Sequence, residues 1–440
     1  MQSVDTLVEG RWVIPVEPEG VVLDNHAVVI DGGCIQAILP HAQAHSGYAA
    51  NRTVALREHV LMPGLVNAHT HAGMTLMRGL ADDLPLMRWL EEHIWPVESR
   101  WVSDEFVRDG TMLAVAEMLR GGTTCFNDMY FFPGDAGRTA AAAGMRCVLG
   151  MIVLDFPTVW AGSADEYLSR ATEVHDEFRS DPLVDTAFAP HAPYTVSDGP
   201  LERLGILADE LDVPIHIHLH ETPGEVESAV SERGARPFAR LDGLGLVSPR
   251  LVAVHMTELD EAEIERLAEC GAHVVHCPES NLKLASGFCP VAKLLAAGVN
   301  VALGTDGAAS NNDLDMIQEM RTASLVAKAV ARDATAVPAH RALSMATIAG
   351  ARALGKDDSI GSLVPGKAAD MIAVDLGAIE SQPVYDAASQ VAFSASRRQV
   401  SDVWIAGRAV LRRGRLLTVD EDRVLERARH WRRRMGGESR

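Results

Sequence analysis

Short apolar runs separated by Gly-containing turns occupy both ends of the chain and predict β-strands there. A typical turn is Asp31-Gly32-Gly33, which predicts a hairpin. The strand-like runs lie at 13–16, 27–30, 34–39, 369–374, 400–405 and 408–411. Because the two ends resemble each other and the middle does not, we expect one small β domain assembled from both termini.

The centre of the chain alternates apolar strand-like runs with helical patterns. The predicted strands lie at 61–66, 122–127, 146–153, 185–190, 213–219, 250–254, 272–276 and 300–304. Predicted helices between them include 106–120, 165–179, 201–211, 260–270 and 291–297. Such β/α units predict a (β/α)8 barrel at 61–360, flanked by a composite β-sandwich domain with a C-terminal helix, 1–60 plus 361–440. A doubly wound open sheet is the alternative, weakened because no GxGxxG opens the first βα unit.

Charge and cysteine usage narrow the class of protein. The 440 residues contain 40 Lys plus Arg and 60 Asp plus Glu, a formal charge of −20, which opposes binding to nucleic acid. We interpret the basic run at 427–434 as the end of a solvated helix. The sequence has neither a signal-peptide pattern nor an apolar run of membrane-spanning length, which predicts no membrane association. Six cysteines without a CxxC pair predict reduced thiols in a cytoplasmic protein.

The first sign of chemistry is a pair of histidines, His69 and His71, at the end of the first predicted barrel strand. Side chains alternate along a strand with period two, so both imidazoles share one face. Two imidazoles so placed supply half of a first-row metal site.

Further polar residues follow the other predicted strands at the same end. Each alone has an ordinary structural explanation, such as a hydrogen-bonded core histidine or a turn-forming aspartate before glycine. Independent structural residues have no reason to gather at one end of successive strands, so we predict a metal site there. These residues are His191, His216, His218, His220, Glu221, His255, His276 and Asp306.

The fifth predicted strand carries three histidines on one face, so alternation cannot choose the ligand. A strand rises about 3.3 Å per residue, so the three lie at different depths. The metal ligand should lie near the rim of the barrel, with Glu221 at its mouth, and His218 is the histidine at that depth. His220 is then a candidate pocket-lining group and His216 lies deeper, with both of their roles left open, as is that of His276.

Three histidines and Asp306, with room for water, suit a catalytic Zn²⁺ or Fe²⁺. Such a metal lowers the pKa of its water toward about 7 and supplies hydroxide. Asp306 would accept the water proton, and Glu221 would shuttle a proton to the substrate. His255 would either polarise the attacked centre or stabilise the charge that develops on oxygen. The fourth predicted strand ends at 189–191 without the lysine that bridges two metals in comparable hydrolases, which favours one metal.

Seven motifs along the chain resemble the amidohydrolase superfamily, in its cytosine-deaminase-like and chlorohydrolase-like branch. They are PGLVNAHTH, GGTTCFND, APHAPYTVS, HIHLHET, HCPESNLKL, LGTDGAASNN and GSLVPGKAAD. The segment WLEEHIWPVE, residues 89–98, resembles the substrate loop of 5-methylthioadenosine/S-adenosylhomocysteine deaminases.

The resemblance implies hydrolytic deamination of the adenine ring of these nucleosides, which yields an inosyl product and ammonia. It implies that Glu98 holds the ribose hydroxyls and that His191 contacts the substrate. Trp89 and Trp95 are equally expected as a substrate lid or as core contacts. It implies protonation of the ring nitrogen by Glu221 and assistance to the hydroxide by His255, beside Asp306. The implied metal ligands are His69, His71, His218 and Asp306, holding one divalent ion, with Zn²⁺ favoured over Fe²⁺.

One departure bears on the substrate. Some members of the subgroup carry arginines after the third barrel strand, whereas residues 153–160 here contain none, which favours a methylthio group over a charged homocysteine tail. The alternatives are a guanine deaminase, an s-triazine or other amino-heterocycle hydrolase, and a non-catalytic metal-binding scaffold. The presence of Glu221, His255 and Asp306 opposes the scaffold. We expect a homo-oligomer by analogy with related barrel hydrolases.

Overall fold

The computed structural model describes residues 1–436 and contains two eight-stranded sheets. The strands of the terminal sheet are β1 (Gln2–Val13), β2 (Leu23–Asp31), β3 (Cys34–Pro40), β4 (Tyr48–Pro63), β13 (Met371–Asp375), β14 (Val400–Ile405), β15 (Arg408–Arg412) and β16 (Arg415–Leu416). The strands of the central sheet are β5 (Leu65–Thr70), β6 (Thr123–Tyr130), β7 (Arg146–Val153), β8 (Val184–Pro190), β9 (Ile215–Leu219), β10 (Leu251–His255), β11 (His273–His276) and β12 (Asn300–Leu303).

The terminal sheet joins the two ends of the chain, with strand order β16-β15-β14-β13-β4-β1-β2-β3. The two halves of this sheet join where β4 pairs with β13 in antiparallel fashion, with Met62 opposite Ile372. The sheet curls until the β2–β3 turn meets the β14–β15 turn, where a Cβ on Gly33 would lie 2.9 Å from the Ala406 carbonyl oxygen. The expectation of a β domain built from both termini is confirmed.

The central sheet is a barrel of parallel strands in sequence order, β5 through β12. It closes between its last and first strands: the amide of Asp306, three residues after β12, donates to the carbonyl of His69 at 3.0 Å. The predicted (β/α)8 barrel is therefore confirmed. A doubly wound sheet would reverse its strand order at the centre, and this sheet does not.

Helices surround the barrel and several begin at clear caps. Ser103 and Ser163 each accept a hydrogen bond from the amide three residues later, at the starts of two long helices. The helices are α1 (His41–Gly47), α2 (Leu86–Trp89), α3 (Trp95–Trp101), α4 (Asp104–Arg120), α5 (Pro133–Ala143), α6 (Ala164–Phe178), α7 (Asp198–Leu211), α8 (Pro223–Arg233), α9 (Pro237–Gly243), α10 (Glu261–Cys270), α11 (Pro278–Lys283), α12 (Val291–Ala296), α13 (Met316–Ala331), α14 (Ala339–Met345), α15 (Ile348–Ala353), α16 (Ala387–Phe393) and α17 (Glu421–Met435). No helix within residues 1–436 is long and apolar enough to cross a membrane.

The first predicted barrel strand, 61–66, is divided between the two sheets. Its start completes β4, and β5 begins at Leu65. Gly64 separates the two strands. Only glycine fits there, because a Cβ would clash with the Thr124 side chain. The apolar run is continuous because both segments are buried. The domain boundaries stay a prediction; β4 crosses the first of them, and residues 437–440 of the terminal domain lie outside the described residues.

The basic C-terminal helix α17 lies against α4 of the barrel. Arg427 pairs with Asp109 at 2.7 Å, and the Trp431 indole N–H donates to the same carboxylate at 2.7 Å. The Trp431 ring is buried edge-to-face against Phe106. Acidic residues of the protein itself therefore hold Arg427 and Trp431, whereas Arg429, Arg432 and Arg433 are exposed, as expected at the end of a solvated helix.

A buried ion pair joins the terminal sheet to the barrel. Arg146 of β7 donates from Nε to Asp370 at 2.6 Å and from Nη2 at 3.2 Å. The Ala406 amide donates to the same carboxylate at 2.7 Å. The Asp370 side chain is 1% exposed, so its charge depends on these protein partners.

We expect the D370A substitution to lower the free energy of unfolding by about 3–5 kcal/mol, because it leaves the Arg146 guanidinium without its buried partner. The control is D24A, which removes the exposed Arg11–Asp24 pair and should cost at most about 1 kcal/mol. Urea denaturation measures both. Equal effects of the two substitutions would contradict the role given to Asp370.

Candidate active site

Four predicted ligands meet at the carboxyl end of the barrel. His69 and His71 come from β5 and the residue after it, His218 from β9 and Asp306 from the loop after β12. Their ligand atoms all lie within 4.8 Å of one another. The Oδ1 atom of Asp306 is 3.3 Å from His69 Nε2 and 3.1 Å from His71 Nε2, and the Nε2 atoms of His69 and His218 are 3.1 Å apart. The structure thus brings His218, the histidine of β9 favoured by depth, into the cluster.

The second ring nitrogen of two ligands faces a backbone carbonyl. His71 Nδ1 lies 2.5 Å from the Met129 oxygen, and His218 Nδ1 lies 2.8 Å from the His191 oxygen. A carbonyl only accepts, so each Nδ1 carries a proton and Nε2 is the nitrogen available to a metal. This arrangement orients metal-binding imidazoles and fixes their tautomer.

Asp306 is held by a set of donors. Ser280 and Ser310 donate to its Oδ2 at 2.6 and 2.7 Å, and the Gly307 amide donates to Oδ1 at 2.8 Å. Burial alone would raise the pKa of Asp306, but hydrogen bonds with His69 and His71 outweigh it and keep the pKa well below 3.8. Asp306 is therefore a carboxylate, and its backbone adopts a left-handed φ of 61°.

The protonation of the cluster suits a divalent cation. Burial lowers the pKa of His69 to about 4 and that of His218 well below 6.5, so both imidazoles are neutral and can offer a lone pair to a cation. Burial also lowers the pKa of His71, but Asp306 raises it more, to about 9, and a bound cation would displace that proton. Three imidazoles and one carboxylate form a ligand set of catalytic metal sites, so these residues fit the ion.

A cavity of about 590 Å³ opens directly onto this cluster. Its walls come from the segment 86–99, from the loop after β7 and from the ends of the other barrel strands. They include the predicted site residues His71, Trp89, Trp95, Glu98, His191, His218, Glu221, His255 and Asp306, together with Tyr130, Ile152, Leu154, Phe156 and Tyr194. His69 is fully buried beneath them.

Glu221 and His255 face the cavity side by side, with Glu221 Oε2 3.9 Å from His255 Nε2. Burial raises the pKa of Glu221, which favours a carboxyl group able to hold a proton. Its backbone is held on both sides: the amide donates to Glu225 at 2.7 Å, and the carbonyl accepts from Thr257 Oγ1 at 2.9 Å.

His255 is oriented by a residue that sequence reasoning missed. Asn281 Oδ1 lies 2.9 Å from His255 Nδ1, so this nitrogen donates and Nε2 is left for the cavity. The backbone of His255 has a left-handed φ of 75°. Ser280, Ser310 and Tyr130 were missed as well, although motifs around three of these four residues had been noted.

Glu98 lies in the cavity wall with Tyr130, whose hydroxyl donates to Glu98 Oε1 at 2.7 Å. Burial raises the pKa of Glu98 to about 7, against the opposing effect of this hydrogen bond. His191, also in the wall, has its pKa lowered to about 3 by burial and is neutral. Its Nδ1 lies 3.2 Å from Thr195 Oγ1.

The structure does not bring His220, a candidate pocket-lining residue, to the described walls of the cavity. Strand β9 ends at Leu219 and His220 has a left-handed φ of 51°, so the alternation of the strand no longer applies to it. Its Nε2 accepts from the Phe238 amide at 3.1 Å, which ties it to α9. His276 is buried in β11, and neither residue is among the described cavity walls.

The sequence matches the amidohydrolase family model over residues 60–410. The chain belongs to the amidohydrolase family. Its relatives include a 5-methylthioadenosine/S-adenosylhomocysteine deaminase of Teredinibacter turnerae, 49% identical over 99% of this chain and 98% of that protein. A solved adenosine deaminase from Xanthomonas campestris with bound zinc is 56% identical, with 99% of each chain covered and a TM-score of 0.98.

A more distant solved structure, the atrazine chlorohydrolase of Arthrobacter aurescens with zinc, is 23% identical with a TM-score of 0.90. The alignment covers 97% of this chain and 99% of the chlorohydrolase chain. That likeness shows a shared fold. The fold, the family match and the ligand cluster together make this protein a metal-dependent amidohydrolase.

We expect the purified protein to bind a divalent metal and the D306A variant to lose it, because the carboxylate supplies the only negative charge among the four ligands. Metal analysis of both proteins by mass spectrometry measures this. H276A, a buried histidine outside the cluster, serves as control and should retain its metal. Equal metal content in D306A and wild type would contradict the assignment.

Proposed function

We propose that the protein is a hydrolytic deaminase of adenine nucleosides that converts 5′-methylthioadenosine, S-adenosylhomocysteine or both to the inosyl product and ammonia. The proposal rests on one observation: the same cavity reaches both the cluster of three histidines with Asp306 and the carboxyl group of Glu98. The relative from Teredinibacter turnerae, whose name states these substrates, is similar over nearly the full chain.

One ion, Zn²⁺ rather than Fe²⁺, is the cofactor we propose. The ligands offer one cluster of four donors, and β8 ends at Pro190 followed by His191, so no lysine is present there to bridge a second ion. The related Xanthomonas campestris structure contains zinc. When bound, such an ion supplies Lewis-acid activation of the water that attacks the ring.

Three residues would handle the protons. In the overall reaction a water oxygen bonds to the ring carbon, the bond to the amino nitrogen breaks, and ammonia leaves. Asp306 would take a proton from the attacking water and pass it to the leaving nitrogen. Glu221, with its raised pKa, would protonate the neighbouring ring nitrogen and recover a proton from the new hydroxyl group as ammonia leaves. The Nε2 of His255 would stabilise the charge that develops on oxygen.

Glu98 would hold the ribose. Tyr130 donates to its Oε1, which fixes the carboxylate and leaves Oε2 for the ribose hydroxyls. The neutral ring of His191 would contact the substrate. Trp89 is fixed by a hydrogen bond from its indole N–H to the Ala81 carbonyl at 3.2 Å, and it forms a wall of the cavity with Trp95.

The loop after β7 would receive the 5′ substituent. Its side chains in the cavity are mainly apolar and include Leu154, Phe156, Pro157 and Val159. None of the cavity-lining residues in the described part of the chain is lysine or arginine. A methylthio group fits such a wall, whereas a charged amino-acid tail would lose hydration there without a partner, so we propose a preference for 5′-methylthioadenosine.

The protein would act in the cytoplasm, as a homo-oligomer. Its six cysteines are free thiols, as expected in a reducing compartment. The number of subunits is a matter for sedimentation analysis of the purified protein.

An ammonia-release assay on zinc-reconstituted protein tests the function. We expect activity on adenine nucleosides, highest with 5′-methylthioadenosine, and a loss of about 10²–10⁴-fold in kcat for E221Q, which cannot supply the proton. Release of ammonia from guanine, cytosine or aminotriazines alone would support another amidohydrolase function. Bound metal without turnover on any of them would indicate a non-catalytic protein, and faster turnover of S-adenosylhomocysteine would contradict the preference.

The pKa of Glu98 predicts a pH dependence. Because the ionised form binds hydroxyls and the pKa is raised to about 7, the carboxylate is lost as the pH falls through this value. We therefore expect KM for the nucleoside to rise below about pH 7. In E98Q, KM should be higher by about 10- to 100-fold at pH 8 and independent of pH between about 6 and 8. A pH-independent KM in the wild type would contradict the role of Glu98.

A further inference from the structure

The ligand His69 differs from the other two histidines in its second partner. Its Nδ1 lies 2.8 Å from the Nε2 of His216, a residue of β9 two positions before the ligand His218. We propose that His216 is a positioning residue that holds His69 in the tautomer able to bind the metal. This inference rests on the proposed metal-dependent function and concerns a histidine that the reaction above does not use.

The contact has the geometry of an in-plane hydrogen bond. The two ring planes differ by 18° and their centroids are 5.0 Å apart, which places the nitrogen atoms head-on rather than the ring faces in contact. Both side chains are fully buried, so water does not compete for either nitrogen. A hydrogen bond in such surroundings constrains both rings strongly.

A carbonyl oxygen fixes the tautomer of a histidine that donates to it, but His216 does not by itself fix the tautomer of His69. An imidazole nitrogen either donates or accepts, so the pair has two neutral arrangements. When His216 Nε2 accepts, His69 carries its proton on Nδ1 and turns the lone pair of Nε2 toward the other ligands. When His216 Nε2 donates, the proton of His69 lies on Nε2 and blocks metal binding. A metal therefore requires His216 to be the acceptor.

His216 acts through His69 and does not reach the substrate. It is absent from the cavity walls that the structure describes, and it lies beneath the ligand cluster. Its Nδ1 has no hydrogen-bond partner among the described side chains and backbone. Binding of the metal thus depends on a neutral imidazole in the barrel interior, and not on a carboxylate or carbonyl as in many other sites.

Two substitutions separate this role from packing. In H216Q the amide oxygen can take the place of Nε2 as acceptor, whereas H216L fills the space without any acceptor. H276L is the matched control, because it makes the same change at a buried histidine outside the cluster. Zinc affinity is measured by chelator competition on metal-free protein, and thermal unfolding is measured with and without zinc.

We expect H216L to bind zinc about 10- to 100-fold more weakly than wild type, while H216Q and H276L stay within a few-fold. The increase in Tm on adding zinc should shrink in H216L, and the Tm of its metal-free form should stay near that of the metal-free wild type. Unchanged zinc affinity in H216L overturns the inference, as does an equal loss in H276L. An equal loss of Tm with and without zinc shows a packing role and overturns it too. If the wild type itself binds no zinc, the proposed function fails instead.

Discussion

The hydrogen bond from the Asp306 amide to the His69 carbonyl joins the end of the barrel to its beginning. The same residue places its carboxylate against the Nε2 atoms of His69 and His71. Barrel closure and assembly of the metal cluster are thus one event at one pair of residues. Any displacement of β12 relative to β5 would separate ligands that lie 237 positions apart in the chain.

Strained backbone at the rim of the barrel is part of this arrangement. His255 and Asp306 both adopt left-handed φ values, a conformation that costs non-glycine residues about 1–3 kcal/mol each. Surrounding hydrogen bonds hold them there: the His255 ring donates to Asn281 Oδ1, and two serines donate to the Asp306 carboxylate. The strained backbone directs both side chains to the cavity, at the last residue of β10 and just beyond the end of β12.

The carboxyl groups of the cavity have pKa values shifted in opposite directions. Asp306 is kept ionised by its histidine partners, whereas Glu221 and Glu98 have raised pKa values because burial dominates. Separation of the pKa values of nearby groups is how one site provides both an acid and a base. Burial lowers the pKa values of His69, His191 and His218 for the same reason that it raises those of the carboxyl groups: a charge in the barrel interior loses its hydration.

The sequence by itself determined the barrel and the composite β domain. Strand periodicity and rise pointed to His69, His71 and His218 as candidate ligands, and the position of Asp306 after the last barrel strand added the fourth. These local rules hold only while a strand continues. They failed at His220, where the backbone turns after Leu219, and at 61–66, where one apolar run serves two sheets. Only the tertiary structure decided which groups contact the site residues: His216 beside His69, Asn281 beside His255 and Ser310 beside Asp306. Those contacts join residues from different strands and loops, and their distances depend on how the barrel closes.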